Sequence, residues 1–133
     1  MALIERSRLK LGIDGARVII HAAEQKATAI GAALAIAVTD DGGHLLAFAR
    51  MDGARAHAID VSMCKAFTAA ISQRPTSMYS QVAAPGEQGF GLHMSNQGRF
   101  SIIRGGLPIV VDEQVVGGVG CSSGSAEEDE QAA

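Results

Sequence analysis

Two apolar runs, Leu34–Thr39 and Leu45–Arg50, flank Asp40-Asp41-Gly42-Gly43, and this arrangement admits little besides an antiparallel pair of strands. The glycines supply the positive φ of a tight hairpin loop, and Asp tolerates the same region. Ile36 and Val38 share one face of the first run, with Ala35 and Ala37 on the other, so this strand is apolar on both sides and belongs inside a sheet. The second run empties into Arg50-Met51-Asp52-Gly53, which sets a cation and an anion near one strand end.

Helices are predicted on either side of the hairpin. Ile13, Ala16, Ile20, Ala23, Ala27 and Ile30 recur at spacings of three and four, with Arg17, His21, Glu24 and Thr28 along a polar stripe and Gly31 as the stop. From Ala56 to Ser72, Ile59, Met63, Ala66, Phe67 and Ala70 mark a buried stripe, bordered by Ser62, Lys65 and Ala69. Pro75 stops this helix, and Thr76 is placed to cap a short third one over Ser77–Val82.

The segment from Ala84 to Gly98 reads as a long irregular loop, a feature often tied to function. Arg99–Arg104 reads as a strand, Gly105-Gly106 turns the chain, and Leu107–Asp112 pairs with Val115–Ser122 in a second hairpin. Ser125 can cap a short closing helix whose acids suit its N-terminus. The order α-β-β-α-α-β-β-β-α describes an α+β domain with a central antiparallel sheet of about five strands flanked by helices.

At 133 residues the chain makes one domain, 1–133. No apolar run reaches the ~18 residues of a membrane span, and the charged opening MALIERSRLKLG has no signal-peptide core, so a soluble, cytoplasmic protein is expected. Net charge is −3, and Glu127, Glu128, Asp129 and Glu130 hold much of the acidity. Without a basic patch, nucleic acid is not an expected partner. Cys64 and Cys121 lack metal or redox spacing and read as small apolar fillers. A core of alanine and glycine buries little area per residue, which favours a homo-oligomer, a dimer or higher.

The hairpin AVTDDGGHLLAFARMDGA, the helix pattern CKAFTAA, the following RPTS and the closing GGLPIVVDEQVVGGVGCSSG together resemble the GlcG/HbpS family of haem-binding-like proteins, from about Ile13 onward. The resemblance implies a profilin-like fold, self-association, and links to haem binding or degradation, glycolate-utilisation gene clusters and the C-terminal part of PduO-type proteins. The chain departs from the pattern in its last hairpin turn, where Glu113-Gln114 replaces a glycine.

Two constellations carry candidate chemistry. A haem ligand needs an imidazole, thioether or thiolate. His21, with Arg17 nearby for a propionate, is the best-placed histidine, set against an ordinary surface role. His57, just past the charged corner, belongs to a haem or to a small-molecule site. His44 reads as structural, His93 as a loop residue and Met51 as packing. The histidines show no zinc spacing.

In the second constellation Arg50, Lys65 and Arg74 converge on a small carboxylate, with Asp52 orienting Arg50 or acting as base. Glu87 swings in as a second acid or base, Thr76 adds a hydroxyl, and Gly105-Gly106 allows a close backbone approach. The opposing reading is a structural network tying hairpin to helix.

Three functions follow: a haem or tetrapyrrole binder, an enzyme that hydrolytically deaminates or tautomerises an imine or enamine carboxylate of small-molecule catabolism, and a non-catalytic accessory or assembly protein.

Overall fold

The computed structural model describes residues 3–5 and 7–133, so the opening stretch read for a leader lies partly outside the described residues. The order is α1 (Ile13–Ala29), β1 (Ala35–Asp40), β2 (Leu45–Arg50), α2 (Ala58–Ser72), α3 (Tyr79–Val82), β3 (Gly106–Val111), β4 (Gln114–Ser122) and α4 (Ala126–Ala132). Three 3₁₀ turns, Thr76–Met78, Leu92–Met94 and Asn96–Gly98, punctuate the middle of the chain. Among the described residues no helix is long and apolar enough to cross a membrane.

The strands form one antiparallel sheet in the order β2-β1-β4-β3, an α+β architecture with four strands rather than five. As expected, β1 is internal and buried on both faces. At its turn, Asp40 Oδ1 accepts from the backbone N–H of Gly42 at 3.0 Å and of His44 at 2.9 Å. Burial would push the Asp40 carboxyl up, but these two donors outweigh it and hold the group below its ordinary value.

The expected fifth strand, Arg99–Arg104, stays out of the sheet. The Ser101 N–H donates to Thr68 Oγ1 of α2 at 2.7 Å, and Phe100 packs edge-on against Tyr79 with ring centroids 4.9 Å apart. A helix side chain thus takes the hydrogen bond that a neighbouring strand would have supplied. Thr76 does not cap a helix. It is buried, and its Oγ1 accepts from the Gly106 N–H at 2.9 Å.

The two faces of the sheet are covered differently. Ile36, Val38, Val119 and Cys121 point towards α1 and α4 and form the main core with Ala16, Ile20, Ala23, Ala27 and Ala132. On the other face, α2 lies directly on the backbone of β4. A Cβ on Gly120 would stand 2.5 Å from the Ala66 nitrogen, and one on Gly118 2.9 Å from the Ala70 nitrogen. This closeness rotates α2 away from the expected orientation. Its deepest face runs through Ser62, Lys65, Ala66 and Ala69, whereas Ile59 and Met63 are only half-buried. The helix turns its small side chains towards the glycines because large ones would hold it off the sheet.

The second hairpin closes on Asp112-Glu113, at φ 49° and 65°. Both sit in the left-handed region that a two-residue primed turn demands, so the turn forms without glycine. Ser125 and Glu128 make the capping box that starts α4, with bonds of 3.1 and 2.9 Å.

Candidate functional site

The expected anion pocket depended on Lys65 reaching the sheet edge beside Arg50 and Arg74. Lys65 instead points the other way. Its side chain is 1% exposed and runs past Gly105, where its Nζ donates to the Cys121 carbonyl at 2.7 Å and to Asp129 Oδ2 at 3.0 Å. Asp129 uses its other oxygen to accept from the Gly124 N–H at 3.0 Å. The ammonium is therefore consumed internally, joining α2 to α4. Gly105 and Gly106 make the close approach expected of them, but to Lys65. Cβ atoms there would lie 2.6 Å from its Nζ and its carbonyl oxygen, respectively.

The other members of that constellation stand apart. Arg50 leaves the exposed end of edge strand β2, and Arg74 is exposed after the left-handed Gln73 that terminates α2. Asp52 is exposed beyond Met51, and Glu87 is exposed in the long loop. His57 is exposed at the N-terminus of α2 and makes no side-chain cap. Among the described residues no ion pair links Arg50, Asp52, Arg74 and Glu87.

Cys121 lies beside the buried pair. Burial pushes its thiol up to about 12, with Asp129 adding to the rise and Lys65 opposing it. A raised acid keeps its proton in the folded chain while the unfolded chain loses it. Stability from this thiol is complete below pH 9 and is lost between pH 9 and 12. Urea unfolding across that range is expected to show a falling stability whose slope is shallower in Cys121→Ala. An unchanged slope would remove the thiol as its source.

A second group of side chains lies together in one cleft. Arg17, His21 and Glu24 fall on one face of α1 because residues three and four apart are helical neighbours. With Ile13 and Ile20 they face Leu46, Ala47 and Phe48 of β2 across an open cleft of about 410 Å³, within the ~300–1,000 Å³ typical of ligand sites. His21 is exposed and has no hydrogen-bond partner among the described residues, so its ring nitrogens are available. Among the described residues Arg17 pairs only with Asp14 at 3.6 Å, with side chains 71% and 96% exposed. So exposed a pair holds weakly and leaves the guanidinium free to turn to a ligand.

The remaining histidines are less suited to a metal-bearing anion. His44 Nδ1 lies 3.4 Å from Asp40 Oδ1 at the β1–β2 turn. His93 lines an apolar cleft of about 500 Å³ with Met94, Phe100 and Ile103, and its Nδ1 is buried without a partner. Among the described residues that cleft is lined by Asp60 and by no lysine or arginine. Met51 packs against the core. Among the described residues, no group of His, Cys, Asp and Glu side chains could hold a metal ion unaided.

Asp129 was not legible as the partner of Lys65, since it sits in an acidic run that reads as a solvated face. The chain matches the family model described as haem degrading protein HbpS-like over residues 11–133. It is 37% identical to the protein GlcG of Escherichia coli over 117 residues, covering 88% of this chain and 84% of that protein. Among solved structures, it is similar to the Klebsiella pneumoniae protein ORFY, with TM-score 0.93, 34% identity and coverage of 100% and 92%. It is also similar to PduOC, solved as a haem complex, with TM-score 0.88, 27% identity and coverage of 93% and 90%.

Proposed function

This chain belongs to the HbpS-like family, and from that premise we propose that it binds haem in the cleft between α1 and β2. The observation that carries this reading is the meeting of three groups in one cleft. They are an imidazole without a partner among the described residues at His21, a loosely held guanidinium one turn away at Arg17, and an apolar wall from Ile13, Ile20, Leu46 and Ala47. These match the needs of a haem: a nitrogen for the iron, a cation for a propionate and a dry surface for the macrocycle. Bound haem would supply a redox-active iron centre. The chain's own residues bind and orient it, with His21 fixing the position and Arg17 the direction. The anionic ligand expected from sequence would then be a propionate-bearing tetrapyrrole.

The enzyme reading needed Arg50, Lys65 and Arg74 around one carboxylate, and the Lys65–Asp129 pair leaves it without its central cation. The accessory reading has no separate observation in its favour. Cys64 and Cys121 are both free, which supports a reducing, cytoplasmic setting. Exposed Val18, Phe90, Met94 and Ile103, each more than half accessible, support self-association.

Hemin titration tests the site. A saturable Soret shift is expected, and His21→Ala should abolish or strongly displace it. Arg17→Ala should weaken binding about tenfold, the worth of one charge-assisted contact. His57→Ala and His93→Ala should titrate like the parent protein. An unchanged titration in His21→Ala would sink the assignment.

A further inference from the structure

On the other face of the sheet, α2 and the β1–β2 turn enclose a trough of about 560 Å³, again of ligand size. Leu45, Met63 and Phe67 give it an apolar surface. Arg99 crosses over from the irregular segment, and its guanidinium carbon stands 4.0 Å above the centre of the Phe67 ring. The ring face attracts the cation, and the two terminal nitrogens of a guanidinium form a fork that fits a carboxylate. Arg99 Nε donates to the Asn96 carbonyl at 3.3 Å. Among the described residues no carboxylate pairs with it.

The trough also has a negative end. Asp60 lines it from the first turn of α2, about two turns or ~10 Å of helix before Phe67. Between them stands half-buried Cys64. Burial and the neighbouring Asp60 hold its thiol above the ordinary value against the opposing pull of Arg99, so it is a neutral part of the wall.

We propose that this trough is a second ligand site, separate from the α1–β2 cleft, that takes a small amphipathic monocarboxylate. The carboxylate lies on the edge of Arg99, and the apolar body runs along Met63 and Leu45. Asp60 repels a second anion at the far end, so the site discriminates against dicarboxylates.

Decanoate is a suitable probe, with decanol and decanedioate as its uncharged and doubly charged counterparts. Calorimetry on the full chain is paired with mass spectrometry of iodoacetamide labelling, with buried Cys121 as the internal control. Cys64 also lines the adjoining His93 cleft, so it reports that a ligand is bound beside it, and Arg99→Gln assigns that ligand to the trough. Decanoate is expected to bind saturably and to slow alkylation of Cys64, whereas decanol and decanedioate bind more weakly. Arg99→Gln should weaken decanoate about tenfold or more and leave decanol unchanged, and Arg99→Lys should restore only part of the affinity, since an ammonium keeps the charge without the fork. The proposal is overturned if decanoate leaves Cys64 alkylation unchanged, if Arg99→Gln binds it as the parent does, or if decanedioate binds equally well.

Discussion

Lys65→Ala is expected to cost about 3–5 kcal/mol, as removing one partner of a buried ion pair does. A domain of ordinary stability has only about 5–15 kcal/mol in all, so the variant should sit close to unfolding in water. The loss comes less from the missing attraction than from what stays behind. Asp129 is 3% exposed, and among the described residues its Oδ2 has no donor without the ammonium while Oδ1 keeps only the Gly124 N–H. Urea unfolding measures this directly. In the double variant Lys65→Met/Asp129→Leu both charges are gone, and most of the loss should be recovered. A cost below about 1 kcal/mol in Lys65→Ala would mean that the pair is solvated and does not join α2 to α4.

Gly120→Ala should be nearly as damaging, at about 3 kcal/mol, the upper part of the range for overpacking a core. The added carbon would meet the Ala66 nitrogen at 2.5 Å as well as the Ser62 carbonyl oxygen. Both are backbone atoms of α2, so no rotamer change relieves the contact, and the helix must lift from the sheet. Gly12→Ala provides the comparison. A Cβ there meets nothing within 4 Å, and as an N-terminal helix cap it should cost less than about 1 kcal/mol. Equal midpoints in thermal unfolding of the two variants would contradict this account of α2 seated on glycine.

Much of the fold is legible in local patterns. The Asp40–Gly43 turn, the α1 stripe, the β3–β4 hairpin and the Ser125 cap each depend on residues close together in the chain. Their chemistry reads directly from sequence. The misjudged parts all depend on distant neighbours. Arg99–Arg104 has the composition of a strand, but Thr68 takes its hydrogen bond. Size picks out Ile59, Met63, Ala66, Phe67 and Ala70 on α2, and the last three are buried, yet the glycines of β4 draw in Ser62, Lys65 and Ala69 rather than Ile59 and Met63. Lys65 reads as a cation available to a ligand because nothing nearby in sequence marks Asp129 as its partner.

The same division holds for the candidate sites. His21 and Arg17 were legible because one helix face carries both. The stacking of Arg99 on Phe67 was not, since it brings a loop residue over a helix residue without any periodic signal.

The path of Lys65 also bears on the order in which the molecule assembles. A long side chain can be laid past Gly105 only while the space beyond is open, and Asp129 of α4 closes that space. At seven residues, α4 is well short of the ~12–15 needed for a helix to persist alone in water. It must therefore form as it docks, after α2 and the β3–β4 pair are in place. An element added last is released first. Exchange of α4 amides should run ahead of β1 and β4, and the ammonium of Lys65 should meet water each time that helix lets go.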